Sequence, residues 1–332
     1  MKKLMMLLGA FILVLAGCGL SDSSSAEGSG DTQKITIAFN QSESHPEYVA
    51  LREFGDKFEE ETEGRYQVDI QANEILASQK ETLEMVQGGT LEMTLVSTSL
   101  LENFDSSYIV LSLPYVYDSL EHQKAVFESG AFDELYEKTN QEQGFTPVAT
   151  YTAGARNIYT KEELATPEDL AGKKFRVMES QSKVDMMNAM EVGTPMAQGE
   201  VYTAIQQGII DGGENNEVTY SDLKHYEVAP NYYYTKHLMV PDVVVVSNTF
   251  MDTMIAEDQE IFNRLLDESV STEFDLWTQG VEDAKATAEA GGATFSEIDK
   301  TPFQEVCYAL NEETIATDES MKAIYDQIRA LA

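Results

Sequence analysis

The residue types that could do covalent or metal chemistry are present, but their spacing does not assemble them. Four histidines, His45, His122, His225 and His237, are scattered along the chain. None lies in an H-E-x-x-H run or beside cysteines at zinc-ligand spacing, and no G-x-S-x-G elbow offers an activated serine. With 58 acidic residues, two carboxylates close in sequence say little about glycosidase chemistry. The chain therefore reads as one without catalysis, metal or cofactor. It does offer guanidinium chemistry. Phe175 and Val177 alternate with Arg176, which places that arginine on the non-core side of a strand or at its end. A planar guanidinium fork can grip both oxygens of a carboxylate, which a lysine ammonium cannot. On spacing alone, Arg176 could equally be a surface arginine paired with one of many acids.

The elements around these residues follow from periodicity. Ile35, Ile37 and Phe39 alternate with polar residues, giving a strand over Lys34–Asn40. Leu51, Phe54 and Phe58 share one face of a helix over Glu47–Glu61, with Gly64 past its end. Val68–Gln71 reads as a strand, Lys80–Gln87 as a helix stopped by Gly88-Gly89, and Leu91–Val96 as a third strand. This order predicts a parallel α/β sheet. The pattern restarts after Thr150. Thr166-Pro167-Glu168-Asp169 carries an N-cap and a first-turn proline, Glu200–Gln207 is helical, and Val243–Ser247 suits a buried strand. From Glu257 to Ala290, Phe262, Leu266, Val270, Phe274, Trp277 and Val281 recur at helical spacing, enough for a helix that touches two domains.

At the N-terminus, Lys2 and Lys3 precede an apolar run from Leu4 to Leu15, which meets Leu15-Ala16-Gly17-Cys18. Residues 1–17 read as a signal peptide, since the run falls short of the roughly 20 residues that span a bilayer. The tetrapeptide resembles a bacterial lipobox, which implies cleavage before Cys18 and lipidation of its thiol. Cys307 would then have no disulfide partner and is expected to be a small, half-buried side chain. Residues 18–33 form the anchor and a Ser-, Gly- and acid-rich tether. The formal charge of −36 disfavours nucleic acid as a partner.

From Lys34 onward, an ordered series of motifs carries a resemblance. It begins with His45-Pro46 and Thr62-Glu63-Gly64-Arg65, then Leu113-Pro114-Tyr115-Val116 and Arg156-Asn157. The run from Thr166 to Val177 follows, then Pro195-Met196, Glu200 to Gly208, and Asp211-Gly212-Gly213-Glu214-Asn215. Together these resemble the solute receptors of tripartite ATP-independent periplasmic (TRAP) transporters, which take C4-dicarboxylates and sugar acids.

The resemblance implies a two-domain α/β clamshell of the periplasmic-binding-protein kind with a long bridging C-terminal helix. Residues 34–153 with 242–281 would form one lobe, and 154–241 with 282–332 the other. Arg176 stands where the family places its carboxylate-binding arginine. Arg156 matches a second arginine that contacts ligand or supports the first, and Asn215 matches the ligand-binding asparagine. Asn40, Gln79, Ser97 and Thr98 align with cleft positions, Gln198 and Asp242 are further polar candidates, and Tyr202 and Tyr220 are expected in the core. Ser97 and Leu100 are small or apolar where receptors of nine-carbon sugar acids tend to be charged, so a six-carbon uronate-like acid is expected, with a C4-dicarboxylate as the alternative. The implied protein is a monomer, lipid-anchored at the outer face of the cell membrane, which delivers its small carboxylate ligand to TRAP permease subunits or presents it to a membrane sensor.

Overall fold

The computed structural model describes residues 32–332, so the signal-peptide, Cys18 and most of the tether expectations lie outside the described residues. The chain first lays down β1 (Gln33–Ala38), α1 (Pro46–Glu61), β2 (Tyr66–Gln71), α2 (Gln79–Gln87), β3 (Met93–Ser97) and the short α3 (Thr98–Leu101). Helices α4 (Leu120–Glu128) and α5 (Asp133–Gln143) then lead to β4 (Phe145–Tyr151). Beyond Tyr151 come β5 (Arg156–Thr160), β6 (Lys174–Val177), α6 (Gln181–Met190), β7 (Val192–Pro195), α7 (Val201–Gln206), β8 (Gly212–Asn215), α8 (Glu217–Asp222) and β9 (Asn231–Leu238). The last part holds β10 (Asp242–Ser247), α9 (Asn248–Met251), α10 (Ala256–Ala290), β11 (Thr294–Ser296), α11 (Thr301–Ile315) and α12 (Glu319–Arg329).

Two sheets result. The first has five strands in the order β2-β1-β3-β10-β4, and the second has six in the order β11-β9-β5-β8-β6-β7. The expected parallel arrangement holds for β1 with β2 and β3, and for β6 with β7 and β8. It fails at β10, which runs antiparallel to both β3 and β4, and at β5, antiparallel to β8 and β9. The physical reason is that β5 and β10 arrive from the other sheet through short extended crossings, so no helical crossover fixes their direction.

Local chemistry sets the element ends. Pro46 opens α1, where its missing N–H costs nothing. Ser78 and Glu81 form a reciprocal capping box at α2. On one face of the first sheet, Phe54 and Phe58 of α1 meet Phe262 of α10 at ring distances of 5.4 and 5.5 Å. The other face packs under α2, α4 and α5. Met321 and Ile328 of α12 also bury there, so the C-terminal helix leaves the lobe in which residues 282–332 were expected. The second sheet buries Phe175, Met186, Phe303 and Cys307 on one side and Tyr159, Tyr220 and Tyr232 on the other. Cys307 is fully buried rather than half-buried, and burial pushes its thiol up to about 12, which leaves it inert. Tyr220 is core as expected, whereas Tyr202 stays partly exposed, its hydroxyl donating to Glu227.

The 35-residue α10 joins the two halves. Its Phe262 end packs on the first sheet's helix, and Ala288 lies in the second sheet's core. Midway, Trp277 meets His45 edge-on at 5.7 Å and lies against Gly154, where the chain crosses between sheets. A Cβ at Gly154 would come within 2.6 Å of the indole nitrogen, and its φ of +58° is one that glycine adopts freely.

Candidate functional site

The cleft forms where strand ends from both sheets face one another. Asn40 follows β1, Ser97 ends β3, and Asp242 opens β10 in register with Ser97. Gln79 is the first residue of α2. From the second sheet come Arg156 at the start of β5, Arg176 on β6, Asn215 at the end of β8, and Gln198 in the turn after β7. These eight residues line one gap enclosing about 360 Å³ between its atoms, open side included. A crevice outside the carboxyl ends of parallel strands is the expected ligand position in an open α/β sheet.

Thr98 is the exception among the sequence candidates. It is buried with its hydroxyl donating to the Pro241 carbonyl at 3.0 Å, because the chain turns into α3 directly after Ser97. Its role is to tie β3 to the segment before β10. Gln41, His45, Met178, Asn216 and Thr219 line the gap without having been singled out for it. Only His45 had a signal, as part of the His45-Pro46 motif. Asn216 caps α8 by accepting from the Thr219 N–H at 2.7 Å, a use that an Asn-Asn pair before a helix can suggest.

The two arginines differ in partners. Arg156 donates from Nε to Glu214 at 2.5 Å and from Nη2 to the same carboxylate at 2.8 Å and to the Glu214 carbonyl at 2.7 Å. Its Nη1 donates to Asn215 Oδ1 at 2.9 Å. One N–H of the five remains uncommitted. Burial works against its charge, but the Glu214 carboxylate outweighs burial and raises its pKa. Glu214 in turn is held at about 2 because Arg156, with the His237 imidazole 3.6 Å away, overcomes its burial. Asn215 Oδ1 also accepts from the Asn216 N–H at 2.9 Å, so the amide oxygen is committed and its NH₂ is the free end.

Arg176 donates from Nε to the Met196 carbonyl at 3.0 Å, which fixes the plane of its guanidinium. Among the described residues its terminal nitrogens meet no hydrogen-bond acceptor and no carboxylate at ion-pair distance, although the side chain is buried. Burial, then the neighbouring Arg156 charge, lowers its pKa. Gly213 pairs with Arg176 across the strands, and a Cβ there would fall 2.5 Å from the Tyr159 hydroxyl. That hydroxyl is 2.8 Å from His225 Nδ1, and burial keeps the imidazole neutral with a pKa of about 3.

Further polar atoms around the gap lack protein partners. Asn40 Oδ1, Gln41 Oε1 and Gln198 Nε2 are buried without a hydrogen bond among the described residues. Buried polar groups are normally paired, so such atoms fit a site whose partner is a ligand. Hydrogen bonds already span the gap: Glu74 accepts from the Gly199 N–H at 2.7 Å, Glu102 from the Ser182 hydroxyl at 2.6 Å, and Asp222 from the Ser42 hydroxyl at 2.5 Å. Three roomier depressions lie elsewhere among the described residues, one beside Asp133 and Asp267, one around Glu163 to Glu168 and one between α5 and α12; only the last is lined by a cation, Lys138, which is already paired with Asp105.

Residues 37–318 match the bacterial extracellular solute-binding proteins of family 7. The chain belongs to that family. Its members are solute receptors of TRAP transporters, an extracytoplasmic family. The uncharacterized protein YiiZ of Salmonella typhimurium is 36% identical over 265 residues, covering 79% of this chain and 81% of that protein. Among solved structures, a TRAP solute-binding protein of Xanthobacter autotrophicus with bound β-D-galacturonate aligns with a TM-score of 0.86 at 31% identity, over 89% of this chain and 99% of that one. One from Anaerococcus prevotii with bound D-glucuronate aligns at 0.87 and 32%, over 90% and 98%. The two-domain α/β fold of the receptor family is therefore that of this chain, and among the described residues no helix is long and apolar enough to cross a membrane.

Proposed function

We propose that this TRAP receptor captures a six-carbon sugar acid of the uronate kind and delivers it to a membrane permease. The observation that carries the reading is the Arg176 guanidinium: buried at the gap, aimed by Met196, with both terminal nitrogens free of acceptors among the described residues. A buried cation without a counter-charge is costly, and a ligand carboxylate gripped by both prongs offsets that cost. The free Asn215 amide, Asn40 Oδ1, Gln41 Oε1 and Gln198 Nε2 supply the donors and acceptors that sugar hydroxyls require. Arg156 acts by fixing Asn215. Gln79 and Ser97 add polar surface from the first sheet. The uronates held by structures of the same shape favour this ligand class.

In this reading the two sheets are the cores of two lobes that close on ligand. Glu74, Glu102 and Asp222 stabilise the closed state, and ligand shifts the population toward it. The receptor acts as a monomer held to the membrane through lipidated Cys18. Calorimetry on the full chain with D-glucuronate, D-galacturonate and succinate tests the ligand class: a uronate binds at roughly micromolar Kd or tighter. Heat from succinate alone would reject the sugar acid. Cys18→Ser should move the protein from the membrane to the soluble fraction, and continued membrane association would reject the anchor.

A further inference from the structure

Behind the cleft, three carboxylates from three elements converge without a dedicated cation. Asp242 opens β10 at the gap, Glu47 comes from the first turn of α1, and Glu273 from the middle of α10. Glu47 and Glu273 are fully buried. Both Glu47 carboxylate oxygens are buried without a hydrogen-bond partner among the described residues, and Asp242 is the neighbouring charge that acts on Glu47 most strongly. Burial first, and then the charges of Asp242 and Glu273, raise the Glu47 pKa well above its ordinary value, which favours the protonated form of Glu47 beside an ionised Asp242. Glu273 accepts from the Thr152 N–H at 3.1 Å, and its other oxygen is unpartnered.

The remaining groups facing this cluster do not neutralise it. His45 Nδ1 is 3.4 Å from Glu47, but burial holds that imidazole at about 3, so it is neutral. Tyr151 of β4 stays a phenol, its hydroxyl sharing a hydrogen bond with Ser269. Arg156 of β5 reaches Asp242 with its field, yet its guanidinium is already paired with Glu214. Glu74 adds one more acid at the edge, near Arg176. Among the cleft-lining residues, the guanidinium left for a ligand is that of Arg176.

We propose that Asp242, which lines the gap with Arg176 and is backed by the buried Glu47, is the residue that makes this cleft select a single carboxylate, accepting a ligand hydroxyl and repelling the second anion of an aldaric acid or other dicarboxylate. The proposal rests on the sugar-acid reading above. A hydroxyl arriving at Asp242 donates to it and satisfies both groups. A carboxylate arriving there meets an anion with no free counter-charge, an element built against the wrong ligand. Burial holds the Asp242 carboxyl up at about 6, against the pull of Arg156 and Glu47. Above that pH it is an anion and discriminates. Below it the group is neutral and discrimination fades. Sugar acids themselves stay ionised down to about pH 4, as ordinary carboxylates do.

The test is calorimetry of D-glucuronate and D-glucarate on the full chain at pH 8 and pH 5. For the wild type at pH 8, glucuronate binds about 100-fold more tightly than glucarate. Asp242→Asn narrows that ratio about tenfold or more at pH 8, and pH 5 narrows it in the wild type. The pH arm reads the same charge should the Asn variant not fold. Glu47→Ala removes the donor that favours ionised Asp242 and moves the midpoint of the pH effect upward, while Glu47→Gln, which still donates, restores it. Equal affinities in the wild type at pH 8, or a ratio that ignores both Asp242→Asn and pH, overturns the proposal while leaving the uronate reading standing. Absence of glucuronate binding overturns both.

Discussion

Arg156 on β5 and Arg176 on β6 are both buried, both belong to the second sheet and both face the cleft, yet among the described residues only the first has a carboxylate partner. The fold spends Arg156 on itself, fastening Glu214 and Asn215 of β8. It leaves Arg176 with one backbone acceptor and two open prongs. Burial alone therefore does not mark a binding arginine. The marker is burial with unspent donors, and the Met196 carbonyl is what keeps the open arginine in place.

The strongest way to break this comparison is Arg156→Ala. It strands the buried Glu214 charge and should cost about 3–5 kcal/mol of stability, read as a large drop in melting temperature without ligand. If melting is unchanged, the ion pair is not structural. Arg176→Ala should do the reverse: unliganded stability held or raised, since an unpaired buried cation is removed, and uronate affinity lowered by about 2–5 kcal/mol in calorimetry. Similar thermal losses in both variants would erase the distinction.

Acid sharpens it further. The folded-state pKa of Glu214 lies below its ordinary carboxylate value, at about 2, so its contribution is complete above about pH 4.5 and is lost as pH falls toward 2. Buried neutral His225, held at about 3, adds a loss of the same sign between about pH 6.5 and 3, because the unfolded chain binds that proton first. The raised carboxyls of Asp242, Glu47 and Glu273 oppose this loss down to about pH 4, so melting temperature should fall with acid most clearly below that pH, and Glu214→Gln should flatten that fall. The smallest effect is kinetic. With a formal charge of −36, the protein repels an approaching anion, so raising salt from low ionic strength should speed uronate association a few-fold in stopped flow. A rate that falls with salt would mean that the Arg176 field dominates at long range.

Much of the lining of the gap was readable from the chain. Alternation around Phe175 and Val177 separated Arg176 from the core, and the resemblance singled out Asn40, Gln79, Ser97 and Asn215, with Gln198 and Asp242 as further polar candidates; the structure brings all six to one gap. The pairing of Arg156 was not readable. Its partner Glu214 lies 58 residues away among 58 acids, and only the antiparallel β5–β8 register brings them together. Thr98 was assigned to the gap by its alignment with cleft positions, but at the end of a strand consecutive side chains point to opposite sides. Glu47 and Glu273 escaped notice for a general reason: acids on amphipathic helices are expected in water, and nothing local announces that α1 and α10 bury them. The antiparallel β10 was equally hidden, since a run of valines fits either strand direction.

Trp277 is the one tryptophan in the chain, wedged where the backbone passes from one sheet to the other at Gly154 and touching His45 at the cleft wall. Any rotation of the halves about that passage must change what surrounds the indole. The protein thus carries its own optical gauge, and the emission of a single natural fluorophore can time each opening and closing without a label.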